Sequence, residues 1–130
     1  MDKTDISSPY QRNVLVLAYL GDAVFTLMVR EFLIEKFNCK SNGLNKRANE
    51  IVCARNQAEI LNQIKEDLTD DEMDIIKRAR NSHTNNKAKN STLEEYNLAT
   101  QFEALVGYWH LSGQKEKLEK MFKRFVVETL

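Results

Sequence analysis

The sequence predicts an all-α fold, and three observations lead to that prediction. The 130 residues include only one proline and four glycines, so the residues that make the frequent turns of an all-β protein are scarce. No long segment alternates polar and apolar residues with the period of two typical of a half-buried strand. Apolar residues recur instead at spacings of three and four, as in helices with one buried face. With 42% hydrophobic residues the chain can bury a core, and we expect one domain over residues 1–130.

The first half of the chain is expected to form several helical segments. Ser8 followed by Pro9 has the residue types of a helix start, because serine caps and proline fits the first turn. We expect Gly21 to break or kink this helix, and a second, largely apolar helix to follow it. The expected segments are helices from Ser8 to Gly21 and from Asp22 to about Phe37, a turn over 38–43, and one broken or two short helices over 44–54 and 56–66.

Two capping boxes mark helix starts in the second half. Thr69 stands three residues before Glu72, and Thr92 stands three residues before Glu95, so each pair can satisfy the free N–H groups of a helix start. The segment 81–91 is polar, has no apolar anchor and is predicted to be a loop. The expected helices run from Thr69 to near Arg80, from Thr92 to Ser112 and Gly113, and from about Gln114 onwards.

An acidic cluster follows the first capping box. Its position in the first turn of a helix favours a role in capping and in complementing the helix dipole. Cation binding by the same acids, as in all-helical nucleoside-phosphate hydrolases, is the alternative. The cluster comprises Asp70, Asp71, Glu72 and Asp74.

Composition narrows the classes of function. The formal net charge is zero, so a nucleic acid would have to meet a local basic patch. Cys39 and Cys53 have no second pair and no neighbouring histidine, which favours reduced structural thiols over a zinc site or a disulfide. The N-terminus lacks the basic and apolar regions of a secretory signal, and no stretch is long enough to span a bilayer. We therefore expect a cytoplasmic protein with no membrane partner.

Two carboxylates are isolated from other charges. Asp22 is the only charged residue between Arg12 and Arg30, and Glu103 is the only one between Glu95 and Lys115. An ionised carboxylate in an apolar interior costs several kcal/mol, roughly, unless a partner compensates it. A divalent cation shared by the two acids would do so, and Mg²⁺ commonly takes one or two carboxylates together with phosphate oxygens. The alternatives are a helix cap for Asp22 and a buried salt bridge to an arginine for Glu103.

One segment has a local excess of positive charge. No acid lies between Asp74 and Glu94, while Lys and Arg residues recur among asparagines. Such a segment suits contact with a phosphate backbone, and the alternative, a solvated helix end, covers only the helical members. The cations are Lys77, Arg78, Arg80, Lys87 and Lys89, which Lys46, Arg47 and Arg55 could extend. His83 and His110 are isolated from other ligand residues and are expected to be non-catalytic.

The segments LAYLGDAVF, RARN and TQFEALVGY resemble the ribonuclease III catalytic domain, and more closely its short bacterial branch, Mini-ribonuclease III. The resemblance covers nearly the whole chain. It implies an all-helical homodimer that cleaves double-stranded RNA with Mg²⁺, with Mn²⁺ as a possible substitute. The substrate implied for this branch is precursor ribosomal RNA (23S), cut to leave 5′-phosphate and 3′-hydroxyl ends. It also implies a catalytic domain without an appended double-stranded-RNA-binding domain.

The resemblance assigns roles to residues by position. Asp22 and Glu103 match the two acids of the signature blocks and are implied to be catalytic and to hold the metal. Longer members carry two further acids where this chain has Ala18 and Thr100, as in the short branch. The residues implied or expected to contact RNA are Lys46, Arg55, Arg78, Arg80, Asn81, Lys87 and Lys89. The rival prediction from another class is a non-catalytic RNA- or ribosome-binding module on the same fold.

Overall fold

The computed structural model describes residues 8–82 and 92–130 and shows helices without any strand in those ranges. This confirms the all-α prediction. The helices are α1 (Val14–Lys36), α2 (Ser41–Val52), α3 (Ala54–Ile64), α4 (Asp70–Arg80), α5 (Leu93–Leu111) and α6 (Lys115–Phe125). Short 3₁₀ turns lie at Pro9–Gln11, Lys65–Asp67 and Val127–Thr129. None of the helices in the described ranges is both long and apolar enough to cross a membrane.

Helix α5 forms the centre of the fold. Its residues from Ala99 to Trp109 are buried, apart from the half-buried Glu103, because α1, α3 and α4 pack around it. Helix α6 joins this core through aromatic rings: Phe122 meets Phe25 and Phe32 of α1 edge to face, with centroids 6.2 and 5.9 Å apart. Phe25 in turn meets Phe102 of α5 at 5.1 Å. The sequence of α5 is hydrophobic around its circumference because other helices cover it on several sides.

Helix α1 differs from the predicted pattern in two ways. The predicted break at Gly21 is wrong, since α1 continues through it without interruption. The predicted helix start at Ser8 and Pro9 is also wrong: those residues lead only into a 3₁₀ turn, and Asn13 caps α1 by accepting from Leu15 N at 2.8 Å. The short asparagine side chain supplies the acceptor that a helix start needs. As a result Asp22 lies in mid-helix and not at a helix end.

The other boundaries agree more closely with the sequence. The segment after α1 gives two short helices, separated by the extended backbone of Cys53, although α2 already begins at Ser41 inside the predicted turn. Both predicted capping boxes are confirmed. Helix α5 ends as predicted, where Gly113 adopts a positive φ of 74°. Of the predicted loop 81–91, only residues 81 and 82 lie within the described ranges.

Glu72 explains the acidic cluster at the start of α4. Its carboxylate is 2% exposed and accepts hydrogen bonds from Thr69 N at 2.9 Å and from the Trp109 indole at 2.7 Å, and it forms a salt bridge with Lys117. Burial alone would raise the pKa of Glu72, but these hydrogen bonds outweigh burial and lower it. Among the described residues no three acids, histidines or cysteines lie together as a metal site. The capping interpretation of the cluster is therefore favoured over cation binding.

Candidate active site

The closest approach of α1 and α5 is a direct contact between their backbones. A Cβ atom added to Gly21 would overlap the carbonyl oxygen of Glu103 and come within 2.8 Å of the Gly107 nitrogen. One added to Gly107 would overlap the carbonyl oxygen of Leu17. Only glycine allows two helices to approach so closely, because it has no side chain to separate them. Gly21 and Gly107 therefore allow this close crossing, which brings the two signature segments together.

The crossing places the two isolated carboxylates beside each other. Asp22 follows Gly21 on α1 and is exposed, and Glu103 is half-buried on α5. The alternative roles are not seen: Asn13 caps α1 in place of Asp22, and neither acid forms a salt bridge with any residue in the described ranges. The side chains of Asp22 and Glu103 lie close enough for Asp22 to raise the pKa of Glu103. Two acids from the two signature segments thus lie side by side, and no lysine or arginine of residues 8–82 or 92–130 pairs with either of them.

The pKa of Glu103 reflects the burial of its carboxyl group beside Asp22. Burial, the hydrogen bond with Asp22 and the negative charge of Asp22 together raise the pKa of Glu103 to about 8, while a hydrogen bond with Gln57 opposes the shift. A carboxyl group that is partly buried beside another acid retains its proton unless a positive charge offsets the repulsion. The donor set therefore fits a hard divalent cation, which prefers carboxylate oxygens.

The stability of the metal-free protein should reveal the shifted pKa. Because the pKa rises from 4.5 in the unfolded chain to about 8 in the folded state, the stability that neutral Glu103 provides is full below pH 4.5. It is lost as the pH rises towards 8, at up to about 1.4 kcal/mol per pH unit. Glu103→Gln is neutral throughout and should be a few kcal/mol more stable than the wild type at pH 8, roughly. Urea unfolding in chelator between pH 5 and 9 measures this, and parallel pH profiles for the two proteins would refute it.

The positions of the two missing acids are filled by small side chains. Ala18 and Thr100 are each 8% exposed, and the Thr100 hydroxyl donates to the Tyr96 carbonyl of its own helix at 3.0 Å. Neither side chain can offer a charged ligand. Within the described ranges, this site therefore contains two carboxylates and no third.

Comparison with known proteins identifies the family. The model of the Ribonuclease III domain matches residues 15–114, a range that contains the helix crossing and both carboxylates. The chain belongs to the ribonuclease III family. Its relatives include Mini-ribonuclease 3 of Brevibacillus brevis, 40% identical over 95% of this chain and 93% of that protein. Mini-ribonuclease 3 of Staphylococcus aureus is 37% identical over 88% of this chain and 87% of that protein.

A solved structure supports the same fold. A crystal structure of a protein from Fusobacterium nucleatum superposes with a TM-score of 0.83 and 32% sequence identity, covering 92% of this chain and 96% of that one. The Mini-ribonuclease 3 relatives place the chain in the short branch, as the signature segments implied. It is an endoribonuclease of the ribonuclease III type, a family that acts on double-stranded RNA and generally uses a divalent metal ion.

The predicted RNA-contacting residues of this ribonuclease III domain lie on three helices. Lys46 on α2, Arg55 on α3, and Arg80 with Asn81 at the end of α4 are exposed. Arg78 is different: it is half-buried, pairs with Asp74 at 3.1 Å, and donates to the backbone carbonyls of Tyr10 and Arg12. Its contacts hold the N-terminal turn on α4. Lys87 and Lys89 lie outside the described residues.

Sequence reasoning gave no role at the site to Gln57. This glutamine on α3 is 2% exposed, and its side chain lies beside Glu103, whose pKa it lowers. The signal was present in the sequence, because Gln57 occupies the same helical stripe as Leu61 and Ile64, where a core residue is expected. A buried amide in an apolar stripe needs a polar partner, and here that partner is Glu103.

Proposed function

We propose that the protein is a Mg²⁺-dependent endoribonuclease that cleaves double-stranded RNA and matures precursor ribosomal RNA (23S), leaving 5′-phosphate and 3′-hydroxyl ends. The observation that carries the proposal is the pairing of Asp22 and Glu103 at the Gly21–Gly107 crossing. Both acids would hold the cation, and Mn²⁺ could replace Mg²⁺ because it accepts similar oxygen ligands. When bound, the cation supplies a more acidic water molecule and offsets negative charge on the phosphate.

Asp22 and Glu103 differ in their exposure to solvent at the site of the proposed hydrolysis. Asp22, exposed on α1, faces the solvent from which RNA must approach, and Glu103 lies deeper on α5. In the proposed reaction, the oxygen of a water molecule forms a bond to phosphorus as the bond from phosphorus to the 3′ oxygen breaks. The 3′ oxygen takes up a proton and leaves as the 3′-hydroxyl group of one fragment. The phosphate remains on the 5′ end of the other fragment.

The exposed cations would bind the RNA backbone. Lys46, Arg55 and Arg80 are exposed to solvent and could reach phosphate groups, with Asn81 next to Arg80. Arg55 pairs with the likewise exposed Glu59 at 3.8 Å, and phosphate contact would replace that pair. Arg78 could contribute its charge while it holds the N-terminal turn. We propose the same contacts with the RNA backbone for Lys87 and Lys89. Such contacts recognise the backbone and shape of a duplex and not its base edges. If replacing Lys46, Arg55 and Arg80 by glutamine left the salt dependence of RNA binding unchanged, this surface would not be the contact surface.

A second copy of the chain would complete the double-stranded footprint. One face of α1 exposes an apolar stripe, the α1 stripe: Val16 (54% exposed), Tyr19 (83%), Leu27 (58%) and Ile34 (64%). Apolar residues aligned over this length of helix favour burial against a partner, and a two-fold axis would pair the stripe with itself. Asp22 adjoins the stripe, so each active site would lie near the interface. Sedimentation equilibrium tests the homodimer, and a monomer at micromolar concentration would contradict it.

The test of the activity is incubation of the purified protein with a long double-stranded RNA. We expect cutting with Mg²⁺, no cutting in chelator, and no cutting of double-stranded DNA of the same sequence. A structured ribosomal precursor then tests the natural substrate, and end labelling tests the 5′-phosphate. Intact RNA in every reaction, with Mn²⁺ as well, would contradict the proposal and favour the non-catalytic RNA- or ribosome-binding module. We further propose that the protein acts in the cytoplasm, where precursor ribosomal RNA of bacteria is found.

A further inference from the structure

Gln57 is a buried polar side chain on an otherwise apolar helix face. It is 2% exposed, and the same face of α3 presents the buried Ala58, Leu61 and Ile64. Helix α3 packs against α5, which carries Glu103. A leucine would fill this stripe without the cost of removing an amide from water. A residue that breaks the local pattern at such a cost is typical of a functional site.

The partner of Gln57 explains its presence. Its side-chain amide lies beside the Glu103 carboxyl group and lowers the pKa of Glu103, which favours the ionised carboxylate. When Glu103 is ionised, as it would be beside a cation, its carboxylate only accepts hydrogen bonds, so the donor is then the amide N–H of Gln57. Asp22 acts on the same carboxyl group in the opposite sense, because hydrogen bonding to Asp22 and the negative charge of Asp22 both raise the pKa of Glu103. Glu103 thus lies between a neutral donor from α3 and an acid from α1.

We propose that Gln57 is a positioning residue of the metal site, whose amide holds the Glu103 carboxylate in its orientation towards Asp22. This inference rests on the proposed function, because it assumes that the two acids share a cation. The site has only two carboxylates in the described residues, so the orientation of each one matters to binding. Partners that orient a metal ligand typically change metal affinity by about 10- to 100-fold when they are removed.

The test is Mn²⁺ binding by calorimetry, with Gln57→Leu compared with the wild type. We expect Gln57→Leu to bind Mn²⁺ at least about tenfold more weakly, while its unfolding midpoint stays equal or rises, because leucine suits the apolar stripe. Gln57→Met is closer in length and should show the same loss. Gln63→Leu is the matched control, since Gln63 is exposed on the same helix. Its Mn²⁺ affinity should not change.

The outcomes separate this inference from the proposed function. If the wild type binds Mn²⁺, Glu103→Gln does not, and both Gln57 variants bind within twofold of the wild type, the positioning role is overturned while the metal site stands. If the wild type fails to bind, or Glu103→Gln binds equally well, the proposed metal site fails and this inference fails with it. Weaker binding that merely follows a lower unfolding midpoint in both Gln57 variants would also overturn it. The Mg²⁺ concentration for half-maximal cleavage should rise in parallel with the loss of Mn²⁺ affinity.

Discussion

Asp22→Asn and Glu103→Gln should each reduce RNA cleavage by about a thousandfold or more, while RNA binding is retained. Each substitution keeps the shape of the side chain and removes its negative charge. The pair then keeps only one of the two negative charges that would attract a cation. Metal stabilisation of a phosphate is worth several kcal/mol, and each 1.36 kcal/mol corresponds to about tenfold in rate. Initial cleavage rates of a labelled duplex, at saturating enzyme and fixed Mg²⁺, measure the effect.

Control substitutions on the same helices make this result specific. Glu31 on α1 and Glu94 on α5 are exposed acids away from the crossing, and Glu31→Gln and Glu94→Gln should cleave at rates within a few fold of the wild type. The inactive variants should bind the duplex as tightly as the wild type does in Ca²⁺ or in chelator. Cleavage by Asp22→Asn or Glu103→Gln within tenfold of the wild type would show that the chemistry lies elsewhere.

The parts of the fold that the sequence predicted correctly depend on local chemistry. The pairs Thr69–Glu72 and Thr92–Glu95 cap their helices as expected, because both partners of a capping box are three residues apart and need no distant contact. The end of α5 at Gly113 is also local, since a positive φ suits glycine. Such signals can be interpreted from a short stretch of sequence alone.

The errors and omissions involve contacts between distant segments. Gly21 has a low helix propensity, which predicted a break, but its packing against α5 overrides that preference. Propensity does not show that a glycine is required by a neighbouring helix. In the same way the position of Gln57 in an apolar stripe indicates a buried amide, but the sequence does not show that its neighbour is Glu103. Arg78 looked like a free cation, yet it holds the carbonyls of Tyr10 and Arg12.

The candidate site itself was easier to predict than its surroundings. Asp22 and Glu103 stood out because each lay alone in an apolar segment, where a charge is costly. That argument identifies acids that need compensation, and the signature segments indicated that the two belong together. It could not show which residues bring them together. The structure assigns this effect to Gly21 and Gly107, and their substitution leads to the second large effect.

Gly21→Ala and Gly107→Ala should each destabilise the protein by about 3 kcal/mol or more. The new methyl group at Gly21 would overlap the Glu103 carbonyl, and the one at Gly107 would overlap the Leu17 carbonyl and lie 3.1 Å from the Gly21 nitrogen. These neighbours are backbone atoms and cannot rotate away, so α1 and α5 would have to separate and lose core packing. The gain of about 1 kcal/mol from alanine in a helix is too small to compensate. Urea unfolding measures the change.

Gly43→Ala separates the effect of the crossing from that of glycine substitution in general. A Cβ atom at Gly43 on α2 would meet the Cys39 Sγ at 3.4 Å, an ordinary contact, so this variant should be unchanged or up to about 1 kcal/mol more stable. Once one glycine is replaced the helices are already apart, so the double variant Gly21→Ala/Gly107→Ala should lose much less than the sum of the single losses. Equal stability of the Gly21, Gly107 and Gly43 variants would refute the close crossing. Because the crossing also sets the distance between Asp22 and Glu103, any folded Gly21→Ala protein should bind Mn²⁺ weakly, although both carboxylates are present.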